Sequence, residues 1–595
     1  MMITSCTLLA VLSLFFTPPA ESNDAGRLHA LFEERHEWQM REFPERALAR
    51  GDERYADRIT DQSVRAIERR HRETVDLLGR LGEIDFDVLG DQDRINYELF
   101  ELSLRRSIDG HAHRDFLAPV SGRSGPHQRV AQMAERVPFR NATDYENYLA
   151  RLEQVPRMID DYITRMRIGL EEGRTPPRVV LQGIPAQFDA LLEGGGLNTL
   201  RQPLARMPGS ISEAQRDSIR RRFREQIEPD VRAAIERFGA FMVEAYLPGC
   251  RETIAAADWP DGEAYYDHQL WVMTTTDMTA REIHEVGLSE VARIRAEMME
   301  VIRRSDFLEL HPEKSALDDD ALFSAFVSYL RADERFYFDD PEELLAEYRN
   351  ICKIVDGHMP SLFRTLPRLP YTVREIPRFM APTQTTAYYQ SGSLEAGQPG
   401  VFYANTYRLD QRPKYEMIAL AIHEAVPGHH HQIAIAQELE DIPEFRRDTW
   451  FTAFGEGWAL YSERLGIEMG MYEDPYDDFG RLLYEMWRAC RLVVDPGMHA
   501  LGWTRERAID FMNENTALSE LNIVTEVDRY IAWPGQATAY KIGELRIREL
   551  RRRAEEALGA QFDLREFHDV VLLAGAIPLP VLERRVGDWI ASFGE

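Results

Sequence analysis

Cysteine and lysine are nearly missing from this sequence, with four of each among 595 residues. Cys6 lies in an apolar N-terminal segment, so the body of the chain keeps Cys250, Cys352 and Cys490. Three thiols make at most one disulfide, and the fold is therefore not a disulfide scaffold. The near-total replacement of lysine by arginine is a compositional bias and carries no functional reading. Positive charge is in deficit overall, with a formal net charge of −29. That sign argues against nucleic acid or anionic membrane as a main partner. Beyond the N-terminus no stretch approaches the ~20 apolar residues that a membrane helix needs. Internal repeats and low-complexity tracts are absent too. What remains, 44% hydrophobic and 29% charged, is ordinary globular composition.

Residues 1–22 have the layout of a signal peptide. An apolar run from Thr7 to Phe16 is followed by Pro18-Pro19 and the small-residue pattern Ala20-Glu21-Ser22. Cys6 precedes that run and does not sit where a lipid-anchor cysteine would. The expectation is an exported protein, periplasmic or secreted, with no membrane contact beyond this signal.

The rest reads as helical. Apolar residues recur at helical spacing, as in Tyr145-Tyr148-Leu149-Leu152. Thr143 with Glu146, and Thr279 with Glu282, look like capping-box starts. Thr175–Leu204 is rich in Gly and Pro and predicts a long connection, with helices resuming near Glu213. Asp261–Tyr266 is turn-like, and helical pattern then runs to about Arg304. β signal is confined to Tyr371–Val373, Thr385–Tyr389 and Val401–Tyr407. The fold class is mainly α, with one small sheet just before the most informative segment.

That segment is His423-Glu424-Ala425-Val426-Pro427-Gly428-His429-His430-His431-Gln432, after the apolar run Met417–Ile422. A zinc-hydrolase helix places two His at i and i+4, with a Glu beside the first as general base. Here Pro-Gly interrupts the pattern. On an unbroken helix His423 and His430 would share a face but stand ~10 Å apart in rise. Two imidazoles that must both come within ~2 Å of one zinc do not span that distance. Pro427 has no N–H for the carbonyl of His423, and Gly428 tolerates unusual backbone angles. A local bulge can then return either His429 or His430 to the metal.

A third ligand is needed, with an open position for water. Glu456 lies in Phe454-Gly455-Glu456-Gly457-Trp458-Ala459-Leu460-Tyr461-Ser462-Glu463, off the apolar stripe of Phe454, Trp458, Tyr461 and Leu465. A carboxylate among large apolar residues is costly unless paired or metal-bound. The loop 441–448 would fold this helix back on the His helix. Glu463, two turns on, is placed to orient an imidazole from behind. Asp495-Pro496-Gly497-Met498-His499 reads as a helix end with a tight turn, and Trp533–Lys541 as a helix start carrying Tyr540. Tyr540 and His499 are candidate oxyanion donors. Arg491, with Arg488, is a candidate for a substrate carboxylate.

The His423–Gln432 and Glu456–Tyr461 motifs together resemble the bacterial domain-of-unknown-function family 885. Leu247–Arg251, Val494–His499, Pro534–Ala537 with Tyr540, and Phe562–Pro578 are similar to that family as well. The resemblance covers nearly the whole chain after residue 22. The family in turn looks like the large helical gluzincins, such as the angiotensin-converting-enzyme and thermostable-carboxypeptidase groups. It implies a two-lobed helical shell around a deep cleft, with a helical lobe over 23–260 and a metallopeptidase-like lobe over 261–595. It also implies Zn2+ held by His423, by His429 or His430, and by Glu456. Glu424 would be the general base, and Tyr540 and His499 would assist. The substrate would be a short peptide lying along a sheet edge near Tyr388 and Tyr389. Hydrolysis of another amide or ester, and a non-catalytic binding role, are the alternatives.

Overall fold

The computed structural model describes residues 23–594, apart from residues 123, 136, 194, 378–380, 382, 383, 395, 396, 441 and 448. The signal segment 1–22 and both ends of the loop 441–448 lie outside the described residues. The chain is mainly helical with a single three-stranded sheet. Seven helices matter for the site. They are α1 (Ala280–Arg304), α2 (Met417–Glu424), α3 (His429–Glu438), α4 (Thr452–Glu468), α5 (Pro475–Ala500), α6 (Glu520–Ala532) and α7 (Ala539–Leu558).

Local chemistry explains most of the boundaries. Thr279 closes a full capping box at the start of α1. The expected box at Thr143 is displaced: its helix starts at Ala142, capped by the Asn141 side chain on the Asp144 N–H. Asparagine is an equally good cap and sits where the chain is still extended. The Gly/Pro-rich stretch 175–204 is not one long connection. It folds into short helical turns (Arg178–Leu181, Ile184–Leu192, Asn198–Ala205), the second with Pro in its first turn, where no N–H is needed. Asp261–Tyr266 is likewise mostly helix, because Gly262 opens Gly262–Thr274.

The sheet has β1 (Tyr371–Glu375), β2 (Ala387–Gln390) and β3 (Gly400–Ala404), in the order β1-β3-β2. β1 runs parallel to β3 and β2 antiparallel to it, with Tyr389 opposite Phe402. β2 is thus an edge strand.

Two apolar cores form, and each draws on residues from both sides of position 260. One joins Val120–Cys250 to Val291–Phe336 and to parts of α5 and α6. The other joins Leu28–Leu104 to β1, β3, α2, α4 and α7. Helix α5 serves both: every residue from Phe479 to His499 is buried. Its polar members are paired, as buried charge requires. Glu485 meets Lys541 at 2.8 Å and Arg548 at 3.5 Å, and also contacts Arg293. Lys541 adds Glu290 at 3.0 Å and Glu544 at 2.8 Å.

The most extensive helix pairs are α1 with α5 and α4 with α7. The second pairing depends on two glycines. A Cβ on Gly543 would stand 1.8 Å from the Ala453 carbonyl oxygen, and one on Gly457 would stand 2.5 Å from Gly543. Gly543→Ala must therefore push α4 and α7 apart. We expect a loss of about 1–3 kcal/mol, read as a lowered unfolding midpoint in calorimetry. An unchanged midpoint would contradict this packing.

Candidate metal centre

Helix α2 stops at Glu424 because Pro427 cannot donate four residues back and the chain leaves helical geometry at Ala425 (φ −96°, ψ −113°). The corner is closed by hydrogen bonds. Gly428 N–H donates to the Ile422 carbonyl at 3.0 Å, and His430 N–H donates to that of Ala425 at 3.1 Å. Gly428 is required by close approach, since a Cβ there would lie 2.0 Å from the His423 carbonyl oxygen. From α4, the Trp458 indole N–H donates to the Pro427 carbonyl at 2.7 Å. The corner is thereby held against the helix that carries Glu456.

The result is convergence. His429 Nε2 lies 3.3 Å from Glu456 Oε2, and His423 Nε2 lies 3.6 Å from the same oxygen. Ligand atoms of these three residues all fall within 4.8 Å of one another. Donors ~2.0–2.1 Å from a tetrahedral zinc stand about 3.3 Å apart, so this spacing suits such an ion. His423 Nδ1 donates to Glu463 Oε1 at 2.7 Å, which turns the Nε2 lone pair toward the cluster. Glu463 is buried and lies 3.7 Å from Arg488 on α5. His429 Nδ1 is buried with no hydrogen-bond partner among the described residues.

Electrostatics favour a cation here. Burial opposes charge on His423, but Glu456 and Glu463 outweigh it and push the imidazole up to about 9. Burial would also raise the Glu456 carboxyl, yet the charges of His429 and His423 hold it well below the usual range. Glu424 is nearly buried beside His423 and makes no hydrogen bond or ion pair among the described residues. Its carboxylate is unclaimed by the fold.

Of the two candidate histidines, the cluster takes His429. His430 is committed elsewhere: Nε2 donates to the Leu369 carbonyl at 3.0 Å, and Nδ1 accepts from the Tyr389 hydroxyl at 2.9 Å. Burial pushes it down to about 4, so it stays neutral. His430 is therefore corrected from ligand to corner support. Tyr389 shares that role, and Tyr388 stacks on Tyr403 at 5.0 Å. Neither is among the residues that line the cavity described below, so the structure gives no substrate contact for them.

His499 is also corrected. It is fully buried, with Nδ1 accepting from Ala256 N–H and Nε2 facing the Tyr530 carbonyl, each at 3.0 Å. Both nitrogens are used, and burial pushes the ring down to about 4. The turn expected at 495–499 comes later: α5 runs through Pro496 to Ala500, and Gly502 (φ 73°) makes the turn. Arg491 is corrected as well, for it is buried on Tyr530 Oη (2.9 Å) and Glu526 (3.1 Å). Its guanidinium lies 4.4 Å over the Tyr540 ring and supports that ring from behind.

A cavity of about 810 Å³ reaches the cluster at Glu456. Glu456 and Tyr540 line it together with Trp450, Arg529, Trp533 and Gln536. Sequence reading missed Trp450 and Arg529, and neither carries a motif of its own. Tyr540 is set by the turn before α7. Asp495 accepts from Gly535 N–H at 3.0 Å and from the Tyr266 hydroxyl at 2.6 Å. Gly535 has φ 79°, a left-handed angle that suits glycine.

Two outcomes test this construction. Trp458→Phe leaves the Pro427 carbonyl buried without its donor. We expect a loss of about 1–3 kcal/mol in stability and about 10-fold weaker metal affinity, read by denaturation and chelator competition. Unchanged metal affinity would contradict the role given to Trp458. Asp495 gives a pH test. Burial pushes it up to about 7, against hydrogen bonds from Tyr266 and Gly535 that favour its charge. A carboxyl raised in the folded state adds stability below its unfolded pKa and loses it as pH rises toward 7. Asp495→Asn should therefore lose less stability than the parent between pH 5 and 8, measured as the change in unfolding midpoint. Parallel pH profiles would contradict the assignment.

No curated protein matches the chain. Among solved structures it is similar to a candidate lipoprotein from Colwellia psychrerythraea, 28% identical, over 96% of this chain and 99% of that one, with a TM-score of 0.85. It is also similar to a candidate lipoprotein of unknown function from Shewanella oneidensis, 18% identical, over 94% and 99% of the two chains, with a TM-score of 0.73. At that identity the second likeness speaks for the fold alone. A family model described as a bacterial protein of unknown function (DUF885) matches residues 44–586. With nine-tenths of its length inside that match, the chain belongs to the DUF885 family.

Proposed function

We propose that this protein is an exported zinc metallohydrolase that cleaves peptide bonds of short peptides. One observation carries the reading: two imidazoles and a carboxylate converge at zinc-ligand spacing beside an unclaimed glutamate, and a tyrosine lines the same cavity as that carboxylate, Glu456. His423, His429 and Glu456 would hold the ion, with Glu463 orienting His423. When bound, zinc acidifies a water at its open position and polarises the scissile carbonyl.

The remaining work belongs to the chain. Glu424 takes a proton from the attacking water, whose oxygen joins the carbonyl carbon. As the carbon–nitrogen bond breaks, Glu424 returns that proton to the leaving amine. Tyr540 donates to the developing oxyanion. Burial, and then the charge of Glu456, raises the Tyr540 hydroxyl above its ordinary pKa, so it keeps the proton it donates. The cavity volume falls in the range of small-ligand pockets, about 300–1,000 Å³, which favours short peptides over folded chains. The signal-like segment 1–22 supports export, as does the similar Colwellia protein being described as a candidate lipoprotein. Among the described residues no helix is long and apolar enough to cross a membrane.

Glu424→Gln tests the chemistry. The variant should keep metal and fold while peptide turnover falls about 10²–10⁴-fold. Turnover that survives in Glu424→Gln, or a parent that cleaves nothing in a peptide library when zinc-loaded, would contradict the reading.

A further inference from the structure

We propose that Arg529 receives the free C-terminal carboxylate of the substrate, so that the enzyme trims peptides from that end. This inference rests on the peptidase reading. Arg529 is the one cationic side chain among the described residues lining the 810 Å³ cavity. Its Nε and one terminal nitrogen donate to Glu526, at 3.3 and 2.8 Å, and the other terminal nitrogen donates to Gln536 Oε1 at 2.6 Å. A guanidinium has five N–H donors, so capacity remains for a further acceptor.

Charge supports the same conclusion. Arg491 and Arg529 both bind Glu526, which sets two guanidiniums against one carboxylate. The other acid lining this side, Asp528, is already held by both oxygens on Arg505, at 2.6 and 3.0 Å. Among the described residues that line the cavity, Arg529 is thus the group that offers positive charge to an incoming anion. A planar guanidinium is suited to a carboxylate.

Position turns this charge into a direction of cleavage. Tyr540 shares the cavity lining with Glu456 and Arg529, and Gln536 joins it to Arg529: Gln536 Nε2 donates to the Tyr540 hydroxyl at 3.5 Å and Gln536 Oε1 accepts from Arg529, while Arg491 lies over the Tyr540 ring. All but Arg491 line the cavity. A carboxylate on Arg529 and a carbonyl at the Tyr540–Glu456 end can thus belong to one short peptide. Trp450 and Trp533, 39% and 50% exposed, offer apolar faces for its side chains.

The test uses the full-length Glu424→Gln protein and the tripeptide Ala-Ala-Phe, as free acid and as C-terminal amide, in a calorimetric titration. Amidation should weaken binding about 10- to 100-fold. Arg529→Ala in that background should bind both forms equally and weakly. Glu526 keeps Arg491 in this variant, so the unfolding midpoint should move little. Arg529→Lys should restore part of the preference, since it keeps charge but not the fork. Equal affinity for acid and amide, or a preference untouched by Arg529→Ala, would overturn the proposal. Cleavage of the amide by the native protein as fast as the acid would overturn it too and leave the peptidase reading standing. Acid-selective binding with no cleavage by the native protein would support the carboxylate site and sink the peptidase reading instead.

Discussion

The hydrogen bond from the Trp458 indole to the Pro427 carbonyl is the contact on which the site depends. A helix cannot present His423 and His429 to one point, because six residues of helical rise separate them by about 9 Å. The corner at 425–428 removes that rise, and it exposes a carbonyl that no helix bond can satisfy. Trp458 supplies the missing donor from α4, two residues past Glu456. One bond thus ties the folded-back histidines to the helix that carries Glu456. Gly428 admits the corner, and His430 with Tyr389 braces its far side against β2.

Behind this site the interior is unusually polar. Helix α5 crosses both apolar cores and carries Arg481, Glu485, Arg488, Arg491, Asp495 and His499 in buried positions. Three of these reach elements that shape the site: Arg488 to Glu463, Arg491 to Tyr540, Asp495 to the Gly535 turn. Isolated, a buried guanidinium or carboxylate of this kind would cost several kcal/mol. Paired as they are, they specify how α4 and α7 sit, and the Gly457–Gly543 contact allows those helices to come close.

Much of this was legible in residue type and spacing. The helical class followed from apolar spacing and the small sheet from β-branched and aromatic runs, while the cost of burying carboxylate and imidazole pointed to the gathering of His423, Glu456 and Glu463. The choice of His429 over His430 was not legible, because it turns on Leu369 and Tyr389, distant in sequence. His499 and Arg491 looked exposed to chemistry for the same reason: their partners Ala256, Tyr530 and Glu526 are brought in only by the fold. The capping residue Asn141 and the short helices in 175–204 show the local limit, where several residue types satisfy the same backbone need. Arg529 carried no signal among so many arginines; only the cavity singles it out.

The central claim is a metal held by His423, His429 and Glu456, with His430 outside it. The most direct measurement is metal content of the purified protein and of its His429→Ala and His430→Ala variants after zinc reconstitution and removal of excess. The account predicts near-stoichiometric zinc in the parent, retention in His430→Ala and loss in His429→Ala. Loss in His430→Ala with retention in His429→Ala, or a parent that takes up no zinc, would contradict it.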